Sequence, residues 1–267
     1  MLPICFIRLL KRKRKKIVNR TFGIIGKSLS HSFSPRYFKE KFIKEAITDV
    51  SYRTFPLNDL NELLPLLDKD NSIKGLNVTI PYKEKIIDYV DSVELIVKEV
   101  GAANVLKIDY IEGKRTISAY NTDVIGFEKM LLQHQCAKHS SALILGTGGA
   151  AKAVAYVLKR QSLPFRLVSR SEKENAISYQ QITKELIREN TLIINCTPLG
   201  MYPDTATFPL IPYHYLNENH LLIDLVYNPA ETVFMKKAKK QNATVENAYA
   251  MLCYQAEAAW DIWNGKV

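Results

Sequence analysis

Short apolar runs alternate with helix-like segments along most of this chain. The runs fall at 22–25 (FGII), 51–55, 75–80 (GLNVTI), 103–108, 116–120, 142–146 (ALILG), 165–169 (FRLVS), 192–195 (LIIN) and 221–225. Such runs, separated by segments with helical periodicity, predict buried strands joined by crossover helices. The pattern therefore favours an α/β fold with parallel sheets over a β-sandwich or a helical bundle.

The last apolar segment, roughly 245–263, has the spacing of a helix. Its apolar side carries Met251, Leu252, Ala259 and Trp260. Because such a face must be buried against another element, we expect this helix to return to the N-terminal half of the chain.

One predicted strand leads into a glycine-rich turn and an amphipathic helix. ALILG is followed by TGGAAKAVAYVL, which places Gly146, Gly148 and Ala151 in the order G-x-G-x-x-A. Between a strand and a helix, this order favours a dinucleotide site, because the glycines allow a tight turn and close approach of a pyrophosphate. The alternative is a glycine-rich turn without a ligand. We predict cofactor contacts from Gly146, Thr147, Gly148, Gly149 and Ala150.

The end of the next strand indicates which nicotinamide cofactor is used. FRLVS ends at Ser169, where an NAD enzyme usually carries an acidic residue for the ribose hydroxyls, and no Asp or Glu stands there. Arg170 offers a fork-shaped cation to a 2′-phosphate, with Ser169, Ser171 and Lys173 as further donors. This pattern favours NADP over NAD, and the alternative is that Arg170 is a solvated surface residue.

Composition describes a globular chain with a basic beginning. The 267 residues are 47% apolar and 24% charged, enough for two domains with their own cores. Eight basic residues and no acid lie within 1–20, and removing them from the formal net charge of +10 leaves +2 for the rest. We expect residues 1–20 to be a basic extension before a fold that begins near Thr21.

Charge and cysteine patterns narrow the classes of function. A nucleic-acid-binding protein spreads Lys and Arg over a folded face, so we expect no nucleic-acid partner. No run approaches the roughly 18 apolar residues of a membrane span, and an apolar stretch before the charged run reverses the order of a secretory signal. The cysteines show neither a CxxC pair nor metal-ligand spacing, so we expect reduced thiols, no metal and a cytoplasmic protein. They are Cys5, Cys136, Cys196 and Cys253.

Four polar clusters in the first half are not required by core packing. They are HSFSP at 31–35, NVTIPYK at 77–83, GAANVL at 101–106 and NTDVIGF at 121–127. We interpret each as lying at the end of a predicted strand. Because the ends of parallel strands meet at one edge of a sheet, we expect the clusters to form one site.

With these clusters the sequence resembles the shikimate dehydrogenase family. The resemblance continues through GTGGAAKAV, NCTPLGM at 195–201, DLVYNP at 224–229 and MLCYQ at 251–255, and it covers roughly Thr21 to Gly265. It implies an NADP-dependent enzyme that interconverts 3-dehydroshikimate and shikimate in chorismate and aromatic amino-acid biosynthesis. It further implies a small-molecule substrate and a monomer or homodimer.

The resemblance also implies a role for each matched residue. Lys83 and Asp123 would be the acid–base pair, in which the ammonium stabilises a developing oxyanion and the carboxylate orients it. Ser32, Ser34 and Thr79 would form a pocket for the substrate carboxylate, and further substrate-binding residues would be Asn77, Asn104, Tyr227 and Gln255. Nicotinamide contacts would come from Thr197, Met201, Leu225 and Ala248. An alternative for Ser32 and Ser34 is helix capping before Pro35. Ala248 and Ala250 depart from the family pattern, which commonly has glycine at these positions.

The implied architecture has two domains. An N-terminal α/β substrate domain would span 21–122 and be completed by 248–267, and a Rossmann-type, doubly wound parallel-sheet cofactor domain would span 123–247. Two alternatives stay open. One is a quinate or broad shikimate/quinate dehydrogenase, which the two serines of HSFSP and Arg170 disfavour. The other is a catalytically silent nucleotide-binding regulator, which the presence of Lys83 and Asp123 disfavours.

Overall fold

The computed structural model describes residues 20–30, 32–134, 139–171 and 174–266. Residues 1–19 and Lys173 lie outside this part of the chain. Arg20 is the first residue of strand β1 and donates hydrogen bonds to Asn264 at 2.9 Å and to Asp49 at 3.3 Å. The predicted extension therefore ended one residue too late, because Arg20 belongs to the sheet. Within the described part, no helix is long and apolar enough to cross a membrane.

Strands and helices alternate along the described residues. The strands are β1 (Arg20–Gly26), β2 (Val50–Pro56), β3 (Ile73–Val78), β4 (Ser92–Val93), β5 (Val105–Ile111), β6 (Lys114–Tyr120), β7 (Ala142–Leu145), β8 (Phe165–Ser169), β9 (Ala176–Ser178), β10 (Leu192–Asn195), β11 (Leu221–Asp224) and β12 (Thr244–Asn247). The helices are α1 (Phe33–Lys44), α2 (Leu63–Lys69), α3 (Leu95–Val100), α4 (Thr122–Leu132), α5 (Gly149–Arg160), α6 (Lys184–Glu189), α7 (Val233–Lys239) and α8 (Tyr249–Trp263).

The first sheet has the strand order β2-β1-β3-β5-β6-β4 and is mixed. Strands β1, β2 and β3 are parallel, but β5 is antiparallel to both β3 and β6. The expectation of parallel strands is wrong here, because only Glu112 and Gly113 join β5 to β6, and a parallel crossover needs a dozen residues or more. Both linking residues have positive φ, 50° and 78°, as a two-residue hairpin turn requires.

This hairpin also changes how the third polar cluster reaches the site. The GAANVL segment leads into β5, which begins at Val105, instead of following a strand, so its interpretation as a strand end is wrong. Because β5 runs antiparallel to β3, the beginning of β5 lies at the same sheet edge as the end of β3. The four clusters therefore still meet at one edge.

The second sheet has the order β12-β11-β10-β7-β8-β9 and all of its strand pairs are parallel. Counted from β7, the strand order is 3-2-1-4-5-6, which is the Rossmann arrangement. The predicted α/β class with a doubly wound parallel sheet is confirmed. The turn after β7 lies where the strand order reverses, the position at which such sheets bind ligands.

Helix α8 begins later than the sequence pattern predicts. Val245 belongs to β12, where it pairs with Leu222, and the helix starts at Tyr249. Farther along, the indole of Trp263 donates to the Leu106 carbonyl at 2.9 Å. A Cβ on Gly75 would lie 2.2 Å from that indole nitrogen, so only glycine fits beneath Trp263.

Candidate active site

Lys83 and Asp123 meet at the end of the first sheet where the four polar clusters lie. Lys83 lies in the loop after β3, and Asp123 lies in the first turn of α4. The Lys83 Nζ is 2.6 Å from the Asp123 Oδ2, and the two side chains are only 18% and 8% exposed. Limited exposure to water strengthens this ion pair relative to a surface pair. The pair nevertheless keeps a small accessible area through which a ligand can reach the ammonium.

Asn104 holds the carboxylate of this pair in place. Its Nδ2 donates to the Asp123 Oδ1 and to the Thr122 Oγ1, each at 3.0 Å, and lies 3.3 Å from the Gln255 Oε1. Its Oδ1 accepts the Thr122 N–H at 2.7 Å. One carboxylate oxygen is thus occupied by Asn104, and the other faces Lys83.

Two residues of this network were missed by the sequence analysis. Thr122 is fully buried and connects to Asn104 through both its N–H and its hydroxyl. Asn121 caps α4 by accepting the Val124 N–H at 3.2 Å, and its amide donates to the Ala102 carbonyl at 2.8 Å. An Asn directly before a predicted helix is a capping signal, and it could have identified Asn121.

The predicted carboxylate pocket gathers around the N-terminus of α1. Ser32 occupies the capping position, but its side chain makes no capping hydrogen bond, so the capping interpretation is wrong for Ser32. Ser34 is buried in the first turn, and Thr79 is half-buried directly after β3. The Ser32 hydroxyl is therefore not consumed by the helix end.

Tyr227 reaches this pocket from the loop after β11. Its ring packs edge-on against Phe33, with 5.8 Å between the ring centroids. Burial raises the pKa of the Tyr227 phenol, and the backbone N–H of Phe33, which donates to it, acts in the opposite direction. This contact connects the loop after β11, a strand of the second sheet, to helix α1.

Asn77 carries an unusual feature for a buried amide. It is 4% exposed, and its Oδ1 accepts a hydrogen bond from the Tyr52 phenol at 2.6 Å. Its Nδ2 is buried without a hydrogen-bond partner among the described residues. A buried donor left unpaired costs about 1–3 kcal/mol, so this amide is suited to an oxygen atom of a ligand.

The glycine turn after β7 has the backbone geometry that an anion site needs. Gly146 has a φ of 113°, and its N–H donates to the Val168 carbonyl at 2.8 Å. A Cβ on Gly148 would meet nothing within 4 Å, so open space lies beside the turn. Helix α5 begins directly afterwards, and the first N–H groups of a helix have no acceptor within it. A pyrophosphate fits this combination of open space, free donors and positive helix dipole.

Gly149 brings the glycine turn against Lys83. A Cβ at this position would lie 3.0 Å from the Lys83 Cβ and 3.4 Å from the Ala102 Cβ, so the two segments are in close contact. The Lys152 Nζ also lies 2.6 Å from the Glu84 Oε2, which joins α5 to the residue after Lys83. The candidate cofactor and substrate sites therefore share one boundary.

Three of the four residues predicted to bind the 2′-phosphate lie at the end of β8 or directly after it. Ser169 is buried, whereas Arg170 and Ser171 are exposed. Burial raises the pKa of the nearby Tyr179 to about 12, and the positive charge of Arg170 opposes this shift. Lys173 lies outside the described residues.

The four residues predicted to contact the nicotinamide differ in their exposure and in the hydrogen bonds that they already make. The Thr197 hydroxyl donates to the Asn195 Oδ1 at 2.6 Å, and Leu225 packs against the core beneath the sheet. Met201 is 38% exposed. Ala248 is 1% exposed, and its N–H donates to the Asp224 carbonyl at 2.9 Å, so neither its methyl group nor its N–H faces open space.

Asp224 anchors the loops that carry these residues. Its carboxylate is fully buried and accepts three hydrogen bonds, from the Thr232 hydroxyl at 2.5 Å, the Asn195 amide at 2.9 Å and the Val226 N–H at 3.0 Å. Burial outweighs these donors and raises the pKa of Asp224 to about 6. The carboxylate is consequently costly to ionise in the folded protein.

The raised pKa makes the contribution of Asp224 to stability depend on pH. A carboxyl group with a higher pKa in the folded than in the unfolded state stabilises the fold at low pH, and this contribution is lost as the pH rises through the folded value. We expect the stability advantage of the wild type over Asp224→Asn to fall by about 2 kcal/mol between pH 4 and pH 7. Chemical unfolding of both proteins across this range measures it, and a constant difference would contradict the assignment.

Comparisons with known proteins agree with this geometry. Residues 24–106 match the family model of the shikimate dehydrogenase substrate binding domain. The chain is 35% identical to the shikimate dehydrogenase (NADP(+)) of Methanococcus maripaludis, with 92% of each chain covered. It is 38% identical to the enzyme of the same name from Clostridium beijerinckii, with 91% of each covered.

A solved structure extends the comparison to three dimensions. The crystal structure of shikimate dehydrogenase 1 from Peptoclostridium difficile superposes with a TM-score of 0.81 at 32% identity, covering 92% of each chain. The similarity therefore extends over most of the chain and is not limited to one of the two sheets. On this sequence and structural similarity, the chain belongs to the shikimate dehydrogenase family.

Proposed function

We propose that this chain catalyses the reversible, NADPH-dependent reduction of 3-dehydroshikimate to shikimate. The observation that carries the proposal is the Lys83–Asp123 ion pair, 2.6 Å long and in contact with the glycine turn through Gly149. A proton donor is needed beside the point where hydride enters a ketone, and this pair lies at the boundary of the two candidate sites. The activity belongs to chorismate and aromatic amino-acid biosynthesis.

The residues around the pair suit a polyhydroxylated ring acid. Hydroxyl groups of Ser32, Ser34 and Thr79 would hold the substrate carboxylate. The polar groups of Asn104, Asp123 and Gln255 would orient the ring hydroxyls, since these side chains already converge within 3.3 Å of the Asn104 amide. Asn77 and Tyr227 would support the same pocket. Neutral hydroxyl and amide groups can each orient one substrate oxygen without adding another charge.

Lys83 would perform the proton transfer. In the reducing direction its ammonium donates a hydrogen bond to the carbonyl oxygen, stabilises the negative charge that develops there and delivers the proton. In the oxidising direction the neutral amine accepts the hydroxyl proton. Asp123 keeps the amine directed at the substrate throughout, because its second oxygen is fixed by Asn104.

The second sheet would hold NADP, which supplies or accepts the hydride when bound. Backbone N–H groups between Gly146 and Ala150 would bind the pyrophosphate, and Ser169, Arg170, Ser171 and Lys173 the 2′-phosphate. Thr197, Met201 and Leu225 would contact the nicotinamide. We assign residues 21–122 and 248–267 to the substrate domain and 123–247 to the cofactor domain, which places the two members of the catalytic pair on opposite sides of this boundary.

A four-way assay tests the proposal. Formation of reduced nicotinamide is followed with shikimate or quinate as substrate and NADP or NAD as cofactor. We expect the highest kcat/KM with shikimate and NADP. Higher efficiency with quinate would identify a quinate dehydrogenase instead. Absence of turnover in all four mixtures, together with nucleotide binding, would identify a silent regulator.

Arg170 is expected to determine the preference for NADP. Its exposed guanidinium at the tip of β8 can pair with a 2′-phosphate, which NADH lacks. Arg170→Ala should weaken NADPH binding by about tenfold or more and leave NADH binding nearly unchanged, because a charged hydrogen bond contributes roughly 1.5–3 kcal/mol. Fluorescence titration with both cofactors measures the two dissociation constants. Equal losses for both would discard the assignment.

A further inference from the structure

Tyr52 contacts the candidate substrate site although no sequence motif includes it. It lies on the edge strand β2, and its phenol donates to the Asn77 Oδ1 at 2.6 Å. The amide nitrogen of the same Asn77 is buried and has no hydrogen-bond partner among the described residues. Because the phenol O–H donates to the amide oxygen, this contact directs the amide nitrogen away from Tyr52.

The ring of Tyr52 is itself held rigidly. It stacks on Phe38, with 4.5 Å between centroids and 13° between planes, and Phe38 is fully buried on α1. The same helix carries Ser34, whose hydroxyl interacts with the Tyr52 phenol. Burial raises the pKa of Tyr52, so the phenol keeps the proton that it donates. The orientation of Asn77 is thus coupled to the helix that begins the predicted carboxylate pocket.

We propose that Tyr52 is a positioning residue that locks the Asn77 amide so that its Nδ2 donates to an oxygen atom of the substrate. This inference rests on the proposed function and adds to it a residue that contributes to substrate specificity. Without the phenol, the amide can rotate by half a turn and present its oxygen to the substrate oxygen, which repels it. The locked Asn77 amide therefore favours substrates that place a hydrogen-bond acceptor opposite its Nδ2.

The variant Tyr52→Phe removes the lock and keeps the stacked ring. We expect the KM for shikimate to rise about tenfold, the scale of one lost hydrogen bond, while kcat changes by less than about twofold and the KM for NADP stays constant. If Tyr52 acts through Asn77, adding Tyr52→Phe to Asn77→Ala should raise the KM no further. An equal increase in both backgrounds overturns the proposal, as does an unchanged KM in the single variant.

Tyr89→Phe provides a matched control. Tyr89 also donates to an asparagine oxygen, that of Asn61 at 3.2 Å, but at the protein surface. Its removal should leave all kinetic constants unchanged, and a tenfold rise in KM here would overturn the specific role of Tyr52. If Tyr52→Phe does not fold, Asn77→Asp retains an acceptor for Tyr52 while replacing the donor by oxygen. Its KM should rise at least as much, and an unchanged value overturns the proposal.

The wild-type assay separates this inference from the proposed function. If the wild type turns over shikimate with NADP and the variants behave normally, only the role of Tyr52 and Asn77 fails. If the wild type has no activity with shikimate, the proposed function fails and the positioning role fails with it.

Discussion

Replacement of Lys83 by alanine is expected to lower kcat by about 100-fold or more, the usual scale for a positioned acid. The Lys83 amine lies 2.6 Å from the Asp123 carboxylate, and the side chain of the same lysine packs against Gly149 of the glycine turn. Without it, the developing oxyanion loses both its hydrogen bond and its proton source. NADPH binding should be retained, because the predicted pyrophosphate contacts come from the backbone after β7.

The measurement combines steady-state kinetics with NADPH titration. Lys85→Ala is a suitable control, since Lys85 is exposed two residues farther along the same segment. That variant should retain wild-type kcat. Near-normal turnover in Lys83→Ala would remove Lys83 from the mechanism. Loss of NADPH binding together with activity would instead indicate a disturbed contact with Gly149.

The central strands of both sheets could be predicted from the sequence because they are continuous apolar runs. Strands β1 and β3 of the first sheet and β7, β10 and β11 of the second are almost entirely buried. The edge strands β4, β9 and β12 were missed, because each has only two to four residues and few of them are buried. An edge strand is defined by pairing with its neighbour, and that neighbour is not visible in the local pattern.

The site was predictable where a motif carries its own chemistry. Lys83 and Asp123 were identified through the family resemblance, and the structure brings them together. Thr122 lies within the NTDVIGF cluster and Tyr52 lies outside all four clusters. The role of each could not be predicted, because it depends on a hydrogen bond to a residue 18 or 25 positions away. The antiparallel course of β5 was equally hidden, because the predicted runs at 103–108 and 116–120 left seven residues between them, whereas only Glu112 and Gly113 join β5 to β6.

Asp123→Asn is expected to lower kcat by about 100-fold or more, comparable to loss of the lysine itself. The substituted amide has the shape of the carboxylate and can still accept the hydrogen bond from Asn104 through its oxygen. Its nitrogen then faces the Lys83 ammonium, and two donors cannot pair. The lysine consequently loses the partner that directs it at the substrate.

Loss of activity in this variant must be distinguished from loss of folding, because removing one partner from a buried ion pair lowers the stability of the folded protein by about 3–5 kcal/mol. Thermal unfolding and NADPH titration of the variant show whether the folded protein is present under assay conditions. Asp109→Asn is the matched control, since Asp109 pairs with Lys107 at 3.5 Å on the surface of the same sheet, and it should leave kcat unchanged. A folded Asp123→Asn protein that binds NADPH and turns over at the wild-type rate would show that Lys83 needs no carboxylate. A folded protein that binds NADPH but turns over slowly assigns the loss to the orientation of the lysine, because the cofactor contacts and the fold are then intact.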